Sequence, residues 1–178
     1  MSSAFEFRPI VHDDIDEVVA AVCDAFTRYR AFAPADWEPP SPADEDRRLK
    51  ESIGDPSFWG GLVRDGEALV GHATFIPAAR HSFRPEQDDS SAHLLHLFVK
   101  PDYWGSGIAA QLLSNATHAA TRRGFTAMRL FVAAGQARAR GFYEREGSVA
   151  AGEPFEFGFG LPTVEYRRDL EPESRRLG

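Results

Sequence analysis

The chain has 178 residues, 43% of them hydrophobic and 26% charged, which is enough for a sizeable core and typical of a globular protein. Its 27 acidic and 20 basic side chains leave a net charge of −7, which argues against nucleic acid as the main partner and suits a small cationic substrate. A lone cysteine, Cys23, excludes an intrachain disulfide, and no apolar run reaches the roughly 20 residues that span a bilayer. The first residues lack the basic and apolar regions of a signal peptide, so a cytoplasmic protein with no membrane partner is expected. One domain over residues 1–170 is expected, with a polar tail at 171–178.

Phe5 to Arg8 alternates apolar and polar side chains and ends at Pro9, which predicts a first strand. Asp13 or Asp14 can cap a helix whose apolar face is Ile15, Val18, Val19, Val22 and Phe26. Residues 33–42, rich in proline and acid, form a loop. Ser41 and Pro42 then open a second helix, with a capping-box pattern to Asp44, that runs to about Ile53. Phe58 to Val63 and Ala68 to Ile76 read as a hairpin turning at Asp65-Gly66. Residues 78–91 are polar and irregular.

The next stretch carries the strongest pattern. Leu94, Leu95, Leu97, Phe98 and Val99 predict a buried strand, stopped near Pro101, which has no N–H to donate to a sheet. A tight turn, Trp104-Gly105-Ser106-Gly107-Ile108-Ala109, leads into a helix burying Ile108, Leu112, Leu113, Ala116, Ala119 and Ala120 and ending at Gly124. A helix that starts in small residues presents unpaired N–H groups at its positive end, a site suited to phosphate. Thr126 to Val132 is another strand, Gln136 to Glu146 a short helix, and residues 148–170 a hairpin whose second strand is Thr163 to Asp169. The order of elements predicts a mixed α/β or α+β sheet with helices on both faces.

Two blocks resemble the GNAT superfamily of acyl-CoA-dependent N-acetyltransferases. The first is Leu97-Phe98-Val99-Lys100-Pro101 followed by Trp104 to Ala109, similar to the family's Gln/Arg-x-x-Gly-x-Gly/Ala motif. The second is Gln136, Ala139, Arg140, Phe142, Tyr143 and Gly147, similar to its Asn-x-x-Ala-x-x-x-Tyr helix. Trp104 stands where the family usually has Gln or Arg, Gln136 replaces Asn, and Ser148 replaces the usual Phe. The resemblance implies a central, mostly antiparallel sheet of about six or seven strands, splayed at an acetyl-CoA site and flanked by about four helices. It also implies acetyl-CoA as co-substrate, an amine acceptor and a possible homodimer.

On this resemblance, Leu97, Phe98 and Val99 supply main-chain contacts to the pantetheine arm, a form of strand addition. The pyrophosphate rests on the N–H groups of the turn, which with Trp104 comprises Gly105, Ser106, Gly107, Ile108, Ala109 and Ala110. Gln136, Ala139 and Tyr143 complete the cofactor contacts. Tyr143 is the expected general acid: a phenol of pKa about 10 stays protonated at neutral pH and can donate to a thiolate of pKa about 8.5. A general base must take a proton from the ammonium acceptor. His93 is the first candidate, with His96 and Glu165 as others. By strand alternation His96 faces away from His93, unless a bulge intervenes. Asp36, Glu38, Asp44 and Glu45 can attract a cation or form a solvated loop. Trp37, Trp59 and Phe83 can line an acceptor pocket or belong to the core. Arg138 and Arg140 can meet cofactor phosphates. No metal-ligand spacing is present.

Overall fold

A computed structural model of the chain describes residues 5–156 and 160–171. The predicted tail, from residue 172 on, and Gly158 of the last hairpin lie outside the described residues.

Seven strands form one sheet: β1 (Glu6–Pro9), β2 (Trp59–Asp65), β3 (Ala68–Pro77), β4 (Ser91–Val99), β5 (Ala127–Ala133), β6 (Val149–Glu156) and β7 (Pro162–Asp169). Their order is β1-β2-β3-β4-β5-β7-β6, and each neighbouring pair is antiparallel except β4 and β5. Four α-helices accompany them: α1 (Ile15–Thr27), α2 (Pro42–Ile53), α3 (Ile108–Arg122) and α4 (Ala137–Arg145). This is the mixed, mostly antiparallel GNAT-type sheet that the sequence predicts. No helix among the described residues is long and apolar enough to cross a membrane.

The helical stripes settle which face each helix covers. Val18, Val22 and Phe26 of α1 and Leu49 of α2 bury against Leu62 and Leu69. On the opposite face, Leu113, Ala116 and Ala120 of α3 meet Ala92, Leu94, Met128 and Leu130, while Ile108 and Leu112 meet Val63, Val70 and Ala73. Tyr143 of α4 joins the same side, with Val164 and Tyr166.

Three local readings change. The Asp14 side chain does not cap α1. It accepts from Arg8 Nη1 and Nη2 at 2.7 and 2.6 Å and from the Val11 N–H at 2.9 Å, tying β1 to the start of α1. A doubly hydrogen-bonded cation outcompetes the cap, and the Arg8 guanidinium holds the Asp14 carboxyl down at about 2. The hairpin turns one residue later than expected, at Gly66-Glu67, with Asp65 still paired to Ala68. Strand β4 starts three residues early, at Ser91.

Two irregularities in β4 shape everything near the site. Against β3, Thr74 pairs with His96 but Phe75 pairs with Leu94, so Leu95 is an extra residue with no partner. This bulge reverses the alternation. Ala92 and Leu94 face α3 before it, and Leu97 and Val99 do so after it. Against β5, the parallel pairing runs only from Ser91–Ala127 to Leu94–Leu130. Beyond those residues the strands part, and the rest of β4 keeps only its β3 neighbour.

Leu113 is 1% exposed beneath α3. Replacing Leu113 with Ala is expected to destabilise the protein by about 2–5 kcal/mol through lost burial and a residual cavity. A lower denaturant midpoint with an unchanged m-value is the readout.

Candidate active site

The gap between the parted strands is a cleft of about 670 Å³. Of the residues expected to hold a cofactor, Leu97, Phe98, Val99, Trp104, Gly105, Gly107, Ile108, Ala109, Ala110, Gln136, Ala139 and Tyr143 line it. Ser106 does not: its hydroxyl donates to Tyr103 O at 2.6 Å, and its N–H points to the same carbonyl at 3.3 Å.

The turn at the cleft mouth is built by backbone conformation. Gly105 and Gly107 have φ of +83° and +87°, and a Cβ on either would meet nothing within 4 Å. Their glycine identity therefore answers to the left-handed backbone, and the space beside them is open to a ligand. Gly107 starts α3 with no side chain of its own to cap it; the Ser106 hydroxyl accepts from the Ile108 N–H at 3.4 Å, and no side-chain cap meets the N–H groups of Ala109 and Ala110 among the described residues. Tyr103 anchors the turn by donating its hydroxyl to Asp65 Oδ2 at 3.0 Å. The Trp104 indole lies across the end of β4, donating Nε1–H to Val99 O at 2.9 Å. The charged residues lining the cleft are Arg28, Arg138 and Arg145, with no carboxylate among them.

Deeper in, Tyr143 is 8% exposed and packs on Phe142 and Tyr166. Burial, reinforced by nearby Tyr29, pushes its phenol well above the usual tyrosine range. Tyr29 is itself pushed up to about 12 by burial, while a hydrogen bond with the Gln136 side chain acts in the opposite direction. Tyr29, Phe32, Phe131 and Gly135 were not anticipated, yet all line the cleft. The signal for Tyr29 was present: it continues the apolar stripe of α1 one turn past Phe26. Phe32 covers Gly135 so closely that a methyl there would lie 2.6 Å from its ring.

His93 and His96 sit beside the cleft, not among its lining residues. The bulge turns both to the α1–α2 face, so the expectation of opposite faces is corrected. His93 is 2% exposed, and its Nδ1 accepts from Arg129 Nε at 3.0 Å. His81 and Phe131 pack on its ring, and burial first, then His81 and Arg129, hold its pKa well below the ordinary value. His96 Nε2 lies 3.8 Å from Glu45 Oε2, and His96 Nδ1 has no hydrogen-bond partner among the described residues. Burial lowers His96 to about 4 and raises Glu45. Glu165, the third candidate, is buried and bound to Arg167 Nε. Of the acidic loop, Glu38 pairs with Arg30, Asp44 with Arg47 and Glu45 with Arg48 at 2.8 Å, and Glu45 is buried. Trp37 is core, stacked on Tyr29; Trp59 is half-buried and stacked on Phe75; Phe83 is exposed. Arg140 Nε donates to the Tyr166 hydroxyl.

The parted sheet and the glycine turn together form one cleft, and the comparisons give the class of protein that carries it. The chain belongs to the GNAT family of acetyltransferases, whose model matches residues 19–147. Its fold is similar to that of an N-acetyltransferase from Staphylococcus aureus Mu50, with a TM-score of 0.73 and 21% identity over 95% of this chain and 100% of that one. A ribosomal-protein-alanine N-acetyltransferase from Brucella melitensis superposes with a TM-score of 0.71 at 21% identity, covering 93% and 99%. A spermidine N-acetyltransferase from Vibrio cholerae, in complex with CoA and spermine, gives 0.68 at 18%, covering 99% and 100%. No curated protein sequence matches the chain significantly.

The buried histidines set an acid limit. His72 is lowered to about 3, His81 and His96 to about 4, and His93 well below its ordinary value, each chiefly by burial. The unfolded chain takes up these protons near pH 6.5 and the folded protein does not, so stability rises with pH below that point and levels off above it. Unfolding titrations are expected to show stability falling from about pH 6.5 towards pH 4, by about 1.4 kcal/mol per pH unit for each histidine still neutral in the fold. His72→Leu should reduce the slope by about one proton. A flat profile across this window contradicts the assignment.

Proposed function

We propose that this acetyltransferase uses acetyl-CoA and transfers its acetyl group directly to the primary amine of a small molecule. The carrying observation is the single cleft that joins the glycine turn, the unpaired edge of β4 and Tyr143. The residues fit the co-substrate: two left-handed glycines open onto free space, α3 begins at a glycine with no side chain to cap it, and three arginines line the cleft with no acid among them. Bound acetyl-CoA supplies a thioester carbonyl for the amine to attack, with a thiol as leaving group.

Leu97, Phe98 and Val99 present the main-chain edge that orients the pantetheine arm. Gly105, Gly107, Ala109 and Ala110 supply N–H groups for the pyrophosphate, with Ile108 and Ala139 as apolar walls. Tyr143 stays protonated because its burial disfavours the phenolate, and it donates the Oη proton to the departing sulfur. His96 is the better-supported base: it is neutral at pH 7, its Nδ1 has no hydrogen-bond partner among the described residues, and its Nε2 lies 3.8 Å from Glu45, whose carboxyl also pairs with Arg48. His93, by contrast, has its Nδ1 held by the Arg129 cation. The −7 charge favours a cationic small amine. A relative that acts on a ribosomal-protein alanine makes a protein amino group the competing acceptor.

Thiol release from acetyl-CoA against a panel of polyamines, arylalkylamines and peptides with a free N-terminus tests this reading. Turnover on small amines supports it, turnover on peptides alone replaces the acceptor class, and CoA binding without turnover on any amine points to a sensor. Tyr143→Phe is expected to lower kcat about 100-fold while changing the acetyl-CoA Kd less than about threefold. An unchanged rate removes Tyr143 as the acid. Gly107→Val, at φ +87°, should abolish CoA binding. Retained tight binding by a folded variant sinks the phosphate assignment.

A further inference from the structure

The family's glycine motif normally opens with a Gln or Arg side chain, and Trp104 stands there instead. An indole cannot supply a cation to an anion held on the turn. The structure nevertheless brings a cation to this place from another element. The Arg138 guanidinium, in the first turn of α4, lies 4.4 Å from the centroid of the Trp104 ring. Both side chains line the cleft together with Gly105 and Gly107. The indole is not loose, because its Nε1–H is fixed to Val99 O at 2.9 Å. Arg138 has no carboxylate partner among the described residues.

The geometry of the stack gives it a use. A guanidinium lying on an aromatic face is held by the ring quadrupole, while its N–H groups radiate in its own plane and remain able to donate. A side chain that otherwise costs rotamer entropy to immobilise is thereby held in place before any ligand arrives. The neighbouring α3 terminus contributes its own N–H groups and positive dipole, and no acid in the cleft competes for the cation.

We propose that Arg138, held against Trp104, binds the diphosphate of the acyl carrier, so that two residues from separate elements do the work of the motif's missing Gln or Arg. Trp104 is then a positioning residue and Arg138 the ligand contact. The proposal rests on the acyl-CoA reading above.

Calorimetric titration of the wild type and of Arg138→Ala, Arg138→Lys and Trp104→Ala with acetyl-CoA, 3′-dephospho-CoA and S-acetylpantetheine tests it. Arg138 and Trp104 are exposed, so the variants are expected to fold, with melting temperature as the check. Arg138→Ala should weaken acetyl-CoA and 3′-dephospho-CoA alike by about tenfold or more, and leave S-acetylpantetheine unchanged. Trp104→Ala should show part of the same loss, and the double variant should fall short of the product of the two single effects. Arg138→Lys keeps the charge without the planar stack and should lie between wild type and Arg138→Ala.

Wild-type affinity in Arg138→Ala overturns the proposal, as does an equal loss for S-acetylpantetheine. A loss confined to acetyl-CoA and absent with 3′-dephospho-CoA overturns the diphosphate assignment, because the contact is then to the 3′-phosphate. Wild-type protein that binds none of the three probes refutes the acyl-CoA reading itself, a result distinct from any failure of Arg138.

Discussion

The site depends on β4 keeping its bonds to β3 while releasing β5. A strand that parts from its neighbour leaves a row of N–H and C=O groups unpaid by the sheet, and these need partners. Water or an extended ligand can supply them, which makes the parted edge a template for strand addition. The bulge at Leu95 sits at the point of parting, one residue beyond the last β4–β5 pair at Leu94 and Leu130. It lets α3 keep its apolar contacts on both sides of the irregularity: Leu94 before it and Leu97 after it. The same extra residue turns His96 towards α2 and Glu45. Cleft, packing and candidate base thus follow from one inserted residue.

Electrostatics divide the molecule in a way that the net charge conceals. A chain with a charge of −7 lines its cleft with three arginines and no carboxylate. The acids concentrate elsewhere. Asp14 is bound by Arg8 and Arg64, and Glu86 by Arg129 and Arg167, while Glu45 lies buried near His96. The cleft is therefore positive in character although the chain as a whole is acidic.

Much of this was legible from side-chain periodicity. The stripes of α1 and α3, the Ser41-Pro42 helix start and the Gly105–Gly107 turn are local patterns, and each folded as its residues dictate. What the sequence concealed was non-local or one residue wide. In a run such as Leu94-Leu95, either leucine suits a buried face, so nothing marks the bulge on which the facing of His93 and His96 turns. Asp14 looks like a cap because nothing local shows that Arg8 on β1 and Arg64, fifty positions away on β2, converge on its carboxyl. The loop at residues 78–90 reads as irregular, yet it sends Arg84 O and Glu86 to the buried Arg129 over more than forty residues of chain. Partners of that kind become visible only once the strands are in register.

The neutral histidines beneath α1 and α2 have a consequence for how the enzyme's kinetics should be read. Desolvation denies His72, His81, His93 and His96 their protons, and two of the four are candidate bases. A rate that declines in acid reports the loss of the architecture as well as the loss of a base, since both draw on the same proton uptake. Unfolding measured over the same pH range separates the two contributions to the acidic limb of a rate profile.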